Sequence, residues 1–168
     1  MNAMRQTKLS VTLFLHYQDK YLFLHRSPDR DVDPNRLNGI GGKVEPGEDF
    51  VTAAIRETQE ESGLQVNKQD LEFAGFTHLR EGYPDDWLAA FFIVHLQQPN
   101  LPIDPHTREG DLIWIQQNEV LQTNYELVDD LHYIWPLILE KKLPFFLSAQ
   151  VNDQEKIVDY SLKTLQSA

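Results

Sequence analysis

A mixed α/β domain is predicted by three features of this sequence. Apolar residues alternate through the first strand-like segment, one short helix carries its own terminator, and further β-type runs are divided by Pro, Gly and Asn turns. Leu9, Val11, Leu13 and Leu15 alternate with Ser10, Thr12 and Phe14, the period of a half-buried strand. Gln18-Asp19-Lys20 then turns the chain into Tyr21 to Arg26, giving a hairpin. Ser27 to Gly42 holds Pro28, Asp29, Asp31, Asp33, Pro34, Asn35, Asn38 and Gly39 and is expected to be one long loop, a kind of connection that is often functional in compact domains. After the Pro46-Gly47 turn, Asp49 or Glu48 opens a helix over about 51 to 62, which Ser62-Gly63 closes with glycine in the left-handed position. Phe73 to Leu79, Trp87 to Leu96 and Leu112 to Ile115 read as strands, separated by Glu81-Gly82-Tyr83-Pro84 and Gln98-Pro99-Asn100. Asn118 is expected to cap a short helix through Leu121. Leu131, Ile134, Trp135, Ile138 and Lys142 follow Asp130 at helical spacing, with Pro136 implying a kink or a later start. Phe145 to Ala149 and Ile157 to Tyr160 form a last pair of strands.

The 168 residues, 41% of them hydrophobic, suit one domain over 1–168 with a real core. The longest wholly apolar run, Trp87 to Val94, is far shorter than the roughly 20 residues of a membrane helix, so no membrane span is expected. Arg5 and Lys8 precede an alternating stretch, which reads as a strand rather than a signal-peptide core. Met1-Asn2-Ala3 reads as an added extension, with Met4 as the natural start. The absence of cysteine excludes a disulfide, a thiolate zinc site and a cysteine nucleophile, and the simplest location is the cytoplasm. The six histidines show no spacing that suggests a shared metal. A net charge of -11 argues against a nucleic-acid polymer as partner. A small phosphorylated ligand remains compatible, provided divalent cations and a few local basic groups offset the field of the protein. The chain is expected to be a monomer or a homodimer.

Within the helix, Glu57, Glu60 and Glu61 are related as i, i+3 and i+4 and share one face, while Val51, Ala54, Ile55, Thr58 and Ser62 share an adjacent face that can pack on a sheet. Like charges at these spacings cost a few tenths of a kcal/mol per pair, and only Arg56 offsets them within the helix. The choice is poor for stability alone. Clustered carboxylates are what hard divalent cations prefer, and magnesium is held by a few carboxylates plus waters and substrate phosphates. Taken by itself, E-x-x-E-E reads more readily as a solvated acidic face than as a metal platform.

The rest of the stretch decides between them. Gly42, Glu48, Arg56-Glu57, Glu60-Glu61, Gly63 and Leu64 stand at the spacing of the box that marks the Nudix hydrolases, over residues 42–64. At roughly one in fifteen per fixed position, a chance match in this chain is on the order of one in a million. The chain therefore resembles that family, with one departure: Thr58 stands where a bulky aliphatic residue is usual. The resemblance implies a Nudix α/β/α sandwich, a mixed β-sheet between helices. It also implies Mg2+ or Mn2+ as cofactor, Glu57, Glu60 and Glu61 as metal ligands, Arg56 and Glu48 as the pair that fixes loop to helix, and Gly42 as a close backbone approach whose carbonyl can coordinate.

Beyond the box, the chain is most similar to MutT-like enzymes that destroy oxidised purine nucleoside triphosphates such as 8-oxo-dGTP, a task of nucleotide-pool sanitation and DNA repair. In that branch the asparagine of an N-G-x-G-G-K run reads the purine edge; Asn38 occupies it here, or merely shapes the turn before Gly39. Glu109, five residues before Trp114, matches a glutamate that relatives use as a further ligand or general base, and Glu61 competes with it for the base role. Purine-specific relatives carry a Trp followed by one or two Asp before the last helix. Here Tyr125 is the nearest aromatic and Asp129 and Asp130 supply the carboxylates, with Tyr125 equally suited to the core and Asp130 to a helix cap. Lys43 and Arg26 are the nearest cations for phosphates, or are solvated charges. Trp87, Trp114 and Trp135 read as packing residues. Coenzyme A hydrolases resemble the chain at Leu24 to Arg30 but have F-P-G-G where Ile40-Gly41-Gly42 stands, and Tyr83-Pro84 matches the ADP-ribose and dinucleoside polyphosphate branches loosely. A nucleotide-sensing Nudix domain without catalysis is a further alternative, disfavoured because no box glutamate is lost.

Overall fold

The computed structural model describes residues 4–166; the Met1-Asn2-Ala3 extension lies outside them. β1 (Thr7–Tyr17) and β2 (Lys20–Arg26) form the expected hairpin, paired Leu15 to Leu22 and Tyr17 to Lys20. The expected long loop contains two short strands, β3 (Arg36–Asn38) and β4 (Ile40–Lys43). They escaped the alternation reading because Asn38, Gly39, Gly41 and Gly42 carry no apolar pattern; only Leu37 and Ile40, both fully buried, anchor them. Next come α1 (Phe50–Ser62), β5 (Leu71–Glu81), β6 (Asp86–His95), β7 (Gly110–Gln116) and the two-residue β8 (Glu126–Leu127). α2 (Leu131–Leu139), β9 (Phe145–Val151) and β10 (Ile157–Thr164) complete the order. The expected helix after Asn118 is only a 3-10 turn, Val120–Gln122. α2 runs through Pro136 inside its nine residues instead of starting after it.

The strands join in one mixed sheet, ordered β10-β9-β5-β6-β1-β2-β3-β8, with β4 also paired to β1 and β7 to β2. β1 runs parallel to β6 from Thr7 to His16 at its centre. The alternation along β1 divides the core in two. Val11, Leu13 and Leu15 pack with Leu22, Leu24, Ala53 and Ala54 of α1, while Phe14 packs with Phe23, Phe91, Leu131, Ile134 and Trp135 of α2. The sheet is therefore sandwiched between the two helices, as the sequence implied. Trp135 is fully buried against Phe14, Tyr21 and Phe23, and its indole N–H donates to the Gln117 carbonyl at 3.0 Å. Trp114 is partly buried on the α1 side, also a packing residue. Among the described residues no helix is long and apolar enough to cross a membrane.

Candidate active site

α1 is capped as its sequence indicates. The Asp49 carboxylate accepts from the Thr52 N–H at 2.8 Å, and Gly63 closes the helix at φ 73°, where its Cβ-less backbone is at ease. The buried side differs from expectation: Val51 is exposed and Ile55 half-buried, while Ala53, Ala54, Glu57, Thr58 and Ser62 are buried. The reason is contact with β4. Small Ala53 and Ala54 let the helix approach the sheet, and this rotation turns Glu57 onto Gly42, where a Cβ would fall 2.3 Å from Glu57 Oε1. Thr58, at the departing box position, faces the core as expected and satisfies its hydroxyl by donating to the Ala54 carbonyl at 2.8 Å. The three glutamates are consequently not one exposed face: Glu57 is buried, Glu61 half-buried and Glu60 exposed.

Arg56 and Glu48 form the pair the box implied. Arg56 Nε and Nη2 donate to the two Glu48 oxygens at 2.7 and 2.9 Å, and Nη2 also donates to the Lys43 carbonyl at 3.0 Å. Its Nη1 reaches Glu57 at 2.7 Å and Glu60 at 3.2 Å. One guanidinium thus ties β4, the box loop and α1 together, and its fork holds the Glu48 carboxyl down to about 2. Burial pushes the Glu57 carboxyl up, opposed by Arg56. Glu61 accepts only from the Gly41 N–H, at 3.3 Å; burial first, then the charges of Glu57 and Glu109, push its carboxyl up to about 8.

Arg56, Glu57, Glu60 and Glu61 line one cleft of about 970 Å³ together with Arg26, Asn38, Gly42, Lys43, Glu109, Asp129 and Asp130. Ten of the eleven residues singled out from the sequence for catalysis, metal or substrate are therefore brought together, with Gly42 as a further backbone contributor. Tyr125 is not among them: it sits in the bend before β8, 39% exposed, with its ring 4.8 Å from that of His25. Trp87 makes the opposite correction, lining the cleft with its ring 5.9 Å from Lys43 Nζ instead of only packing the sheet. Asp130 precedes α2, yet its side chain makes no cap hydrogen bond, so that reading is not realised. Buried in the cleft, its carboxyl is pushed up to about 7 by loss of solvent, then by Asp33 and Asp129. Asp129 accepts from the Ile157 N–H at 2.8 Å, which fixes it to β10.

Several cleft residues escaped the sequence reading. Asp33, in the left-handed region at φ 49°, accepts from the Tyr83 hydroxyl at 3.2 Å and from Arg36 at 3.2 Å, while Arg36 also pairs with Glu126 and Glu155. Arg30 clamps Glu109, Nη1 to Oε1 at 3.1 Å and Nη2 to Oε2 at 2.6 Å. Only the length of the Ser27–Gly42 segment hinted at them; apart from Asp33 and Arg36, three residues apart, their partners lie 50 to 119 residues away and no local pattern marks the pairs.

The donor set fits a hard divalent cation. It is all oxygen and chiefly carboxylate, Gly42 leaves no side chain between β4 and Glu57, and the charge of Glu61, disfavoured by burial and then by Glu57 and Glu109, is what a cation stabilises. Among the described residues no three acidic or histidine groups converge closely enough to cage an ion, since Arg56 holds Glu57 and Glu60 and Arg30 holds Glu109. Magnesium needs no such cage, because it keeps waters and takes phosphate oxygens as ligands.

The sequence matches the NUDIX domain over residues 6–135. The chain belongs to the Nudix hydrolases. Among its relatives, the mouse oxidized purine nucleoside triphosphate hydrolase is 30% identical over 169 residues, covering 96% of this chain and 98% of that protein. Solved MutT proteins share the Nudix fold. The one from Bacillus halodurans superposes with a TM-score of 0.76 at 20% identity, covering 92% of this chain and 97% of its own. That from Methanosarcina mazei Go1 gives 0.68 at 18% identity, covering 84% and 100%.

The raised Glu61 and Asp130 carboxyls have a consequence for stability. Both bind protons more tightly folded than unfolded, so their contribution is present below the ordinary carboxylate range and lost as pH rises through about 7 for Asp130 and about 8 for Glu61. The melting temperature of the metal-free protein is expected to fall across that window, and calorimetry with added magnesium should recover part of the loss. An unchanged midpoint from mildly acidic to mildly alkaline pH would contradict this placement of the two carboxyls.

Proposed function

We propose that this Nudix hydrolase is a magnesium-dependent pyrophosphohydrolase of purine nucleoside triphosphates, oxidised ones such as 8-oxo-dGTP included, releasing the monophosphate and pyrophosphate. The observation that carries the reading is that one cleft holds both the glutamates of α1 and a separate polar group, Asn38, Asp129 and Asp130, suited to a base edge. The name of the mouse relative points the same way. Manganese is an alternative ion with the same oxygen preference.

The bound ion, to which Glu57, Glu60, Glu61 and the Gly42 carbonyl are suited with Glu109 as a further donor, supplies charge neutralisation at the phosphates and acidifies the attacking water. Glu61 is the better proton acceptor of the two candidates, because Glu109 has both oxygens engaged by Arg30 whereas Glu61 accepts a single N–H. Lys43 and Arg26 stand in the cleft for the phosphates, and Arg26 also steadies the wall by donating to the Val32 carbonyl at 2.9 Å. At the base, the Asn38 Oδ1 already accepts from the Gly39 N–H at 2.8 Å, which leaves its amide N–H groups to donate. Asp130, with its carboxyl near neutrality, can present a proton to a purine acceptor, and Trp87 offers the ring face that Tyr125 does not.

The test is pyrophosphate release, with magnesium and with chelator, across 8-oxo-dGTP, the ordinary nucleoside triphosphates, ADP-ribose, diadenosine polyphosphates and coenzyme A. Preference for the oxidised purine supports the reading; preference for another diphosphate keeps the α1 assignment and discards the base-reading one. Asn38→Ala should raise KM for purine triphosphates by roughly fivefold, the value of one hydrogen bond near 1 kcal/mol, without a matching change for a non-purine diphosphate. Equal losses on both would make Asn38 a loop-shaping residue only.

A further inference from the structure

Glu109 is pinned at its backbone. Its carbonyl accepts from the Ser27 N–H at 3.0 Å, and the next residue, Gly110, lies so close to β2 that a Cβ there would fall 2.0 Å from the His25 carbonyl oxygen. Its reach into the cleft is therefore decided by its side chain. That side chain is held by a fork in which each Arg30 terminal nitrogen takes one carboxylate oxygen, at 3.1 and 2.6 Å. Both side chains line the cleft with Glu57, Glu60 and Glu61, and each is about a third exposed, 35% and 37%. Glu109 is the one side-chain partner of this guanidinium among the described residues, and Arg30 Nε is buried with no hydrogen-bond partner.

We propose that Arg30 is a positioning residue that competes with the divalent cation for Glu109, so that loading the ion exchanges the guanidinium for the cation on that carboxylate. The fork occupies the two oxygens an ion would use. A pair this exposed is worth little against solvent, so a doubly charged ion can displace it, yet it is ordered enough to weaken loading by a few-fold. Arg30 thereby keeps Glu109 in one orientation in the ion-free protein and sets how readily the cleft fills. This rests on the reading of Glu109 as a donor to the ion.

The experiment is a manganese titration of the full chain without nucleotide, followed by the paramagnetic signal of free Mn2+, for the unsubstituted protein, Arg30→Met, Glu109→Gln and the double variant. Arg30→Met should bind manganese about three- to fivefold more tightly, the release of a competitor worth up to about 1 kcal/mol. Glu109→Gln should bind it more weakly, and the double variant should match Glu109→Gln because no carboxylate remains to compete for. Unchanged or weaker binding by Arg30→Met overturns the proposal, since a structural role alone cannot improve ion affinity. So do effects that add independently in the double variant. If Glu109→Gln binds manganese normally, the proposal also falls, whereas weakened binding by Glu61→Gln in the same series shows that the α1 reading survives it. Arg30→Lys, whose single ammonium cannot fork onto two oxygens, should lie between the unsubstituted protein and Arg30→Met, and carries the test if Arg30→Met does not fold.

Discussion

Glu61→Gln is expected to lower turnover of a purine nucleoside triphosphate by about 10²- to 10⁴-fold, the span over which positioned acid–base groups act. The fold should remain intact. Glutamine has the shape of glutamate and can still accept from the Gly41 N–H, but it cannot take a proton and is a poor ligand for magnesium. The same change removes a charge that burial, Glu57 and Glu109 all disfavour, so the metal-free variant should melt higher than the unsubstituted protein near and above pH 8. Activity and stability therefore move in opposite directions, which separates a catalytic role from a structural one. Steady-state rates at saturating magnesium, with calorimetry on the chelated protein, give both readouts. A variant with full activity would remove Glu61 from the site.

Gly42→Ala should cost about 10²-fold in kcat/KM, the penalty of misplacing a reacting constellation by about an ångström. The glycine is not required by its φ, so alanine can adopt this backbone; the obstacle is a Cβ 2.3 Å from Glu57 Oε1 and 2.7 Å from its Cδ. Glu57 has little room to retreat, being buried and held by Arg56 at 2.7 Å. The displaced carboxylate breaks the match between β4 and α1 while the cores on both faces of the sheet stay packed. Kinetics on a protein shown by calorimetry to be folded would check this, and undiminished activity would mean that β4 and Glu57 do not act together.

Much of this site was legible because its pieces are local. Gly42, Glu48, Arg56, Glu57, Glu60 and Glu61 lie within one loop and one helix, so the box places them, and the Arg56 to Glu48 pair that the resemblance implied is formed. The alternation of Leu9 to Leu15 placed β1 but not its burial: read as half-buried, the strand is buried on both faces from Val11 to Leu15, because α1 packs over one face and α2 over the other. Tyr125 failed for the complementary reason. Its nearness to Asp129 and Asp130 in sequence says nothing about direction once the chain bends before β8, and the ring turns to His25 while Trp87, distant in sequence, reaches the cleft from β6.

The division follows the range of the interactions. Family, the acidic helix and charge balance are properties of short segments and composition, and the sequence by itself determined them. Which way Glu57 faces, which arginine holds Glu109, and how Asp33, Tyr83, Arg36 and Glu155 meet depend on strands and loops far apart in the chain. Only the tertiary structure decided those, because burial and the paired charges that set each carboxyl's proton affinity arise when β1, β4, β6, α1 and the segment before β7 close on one cleft.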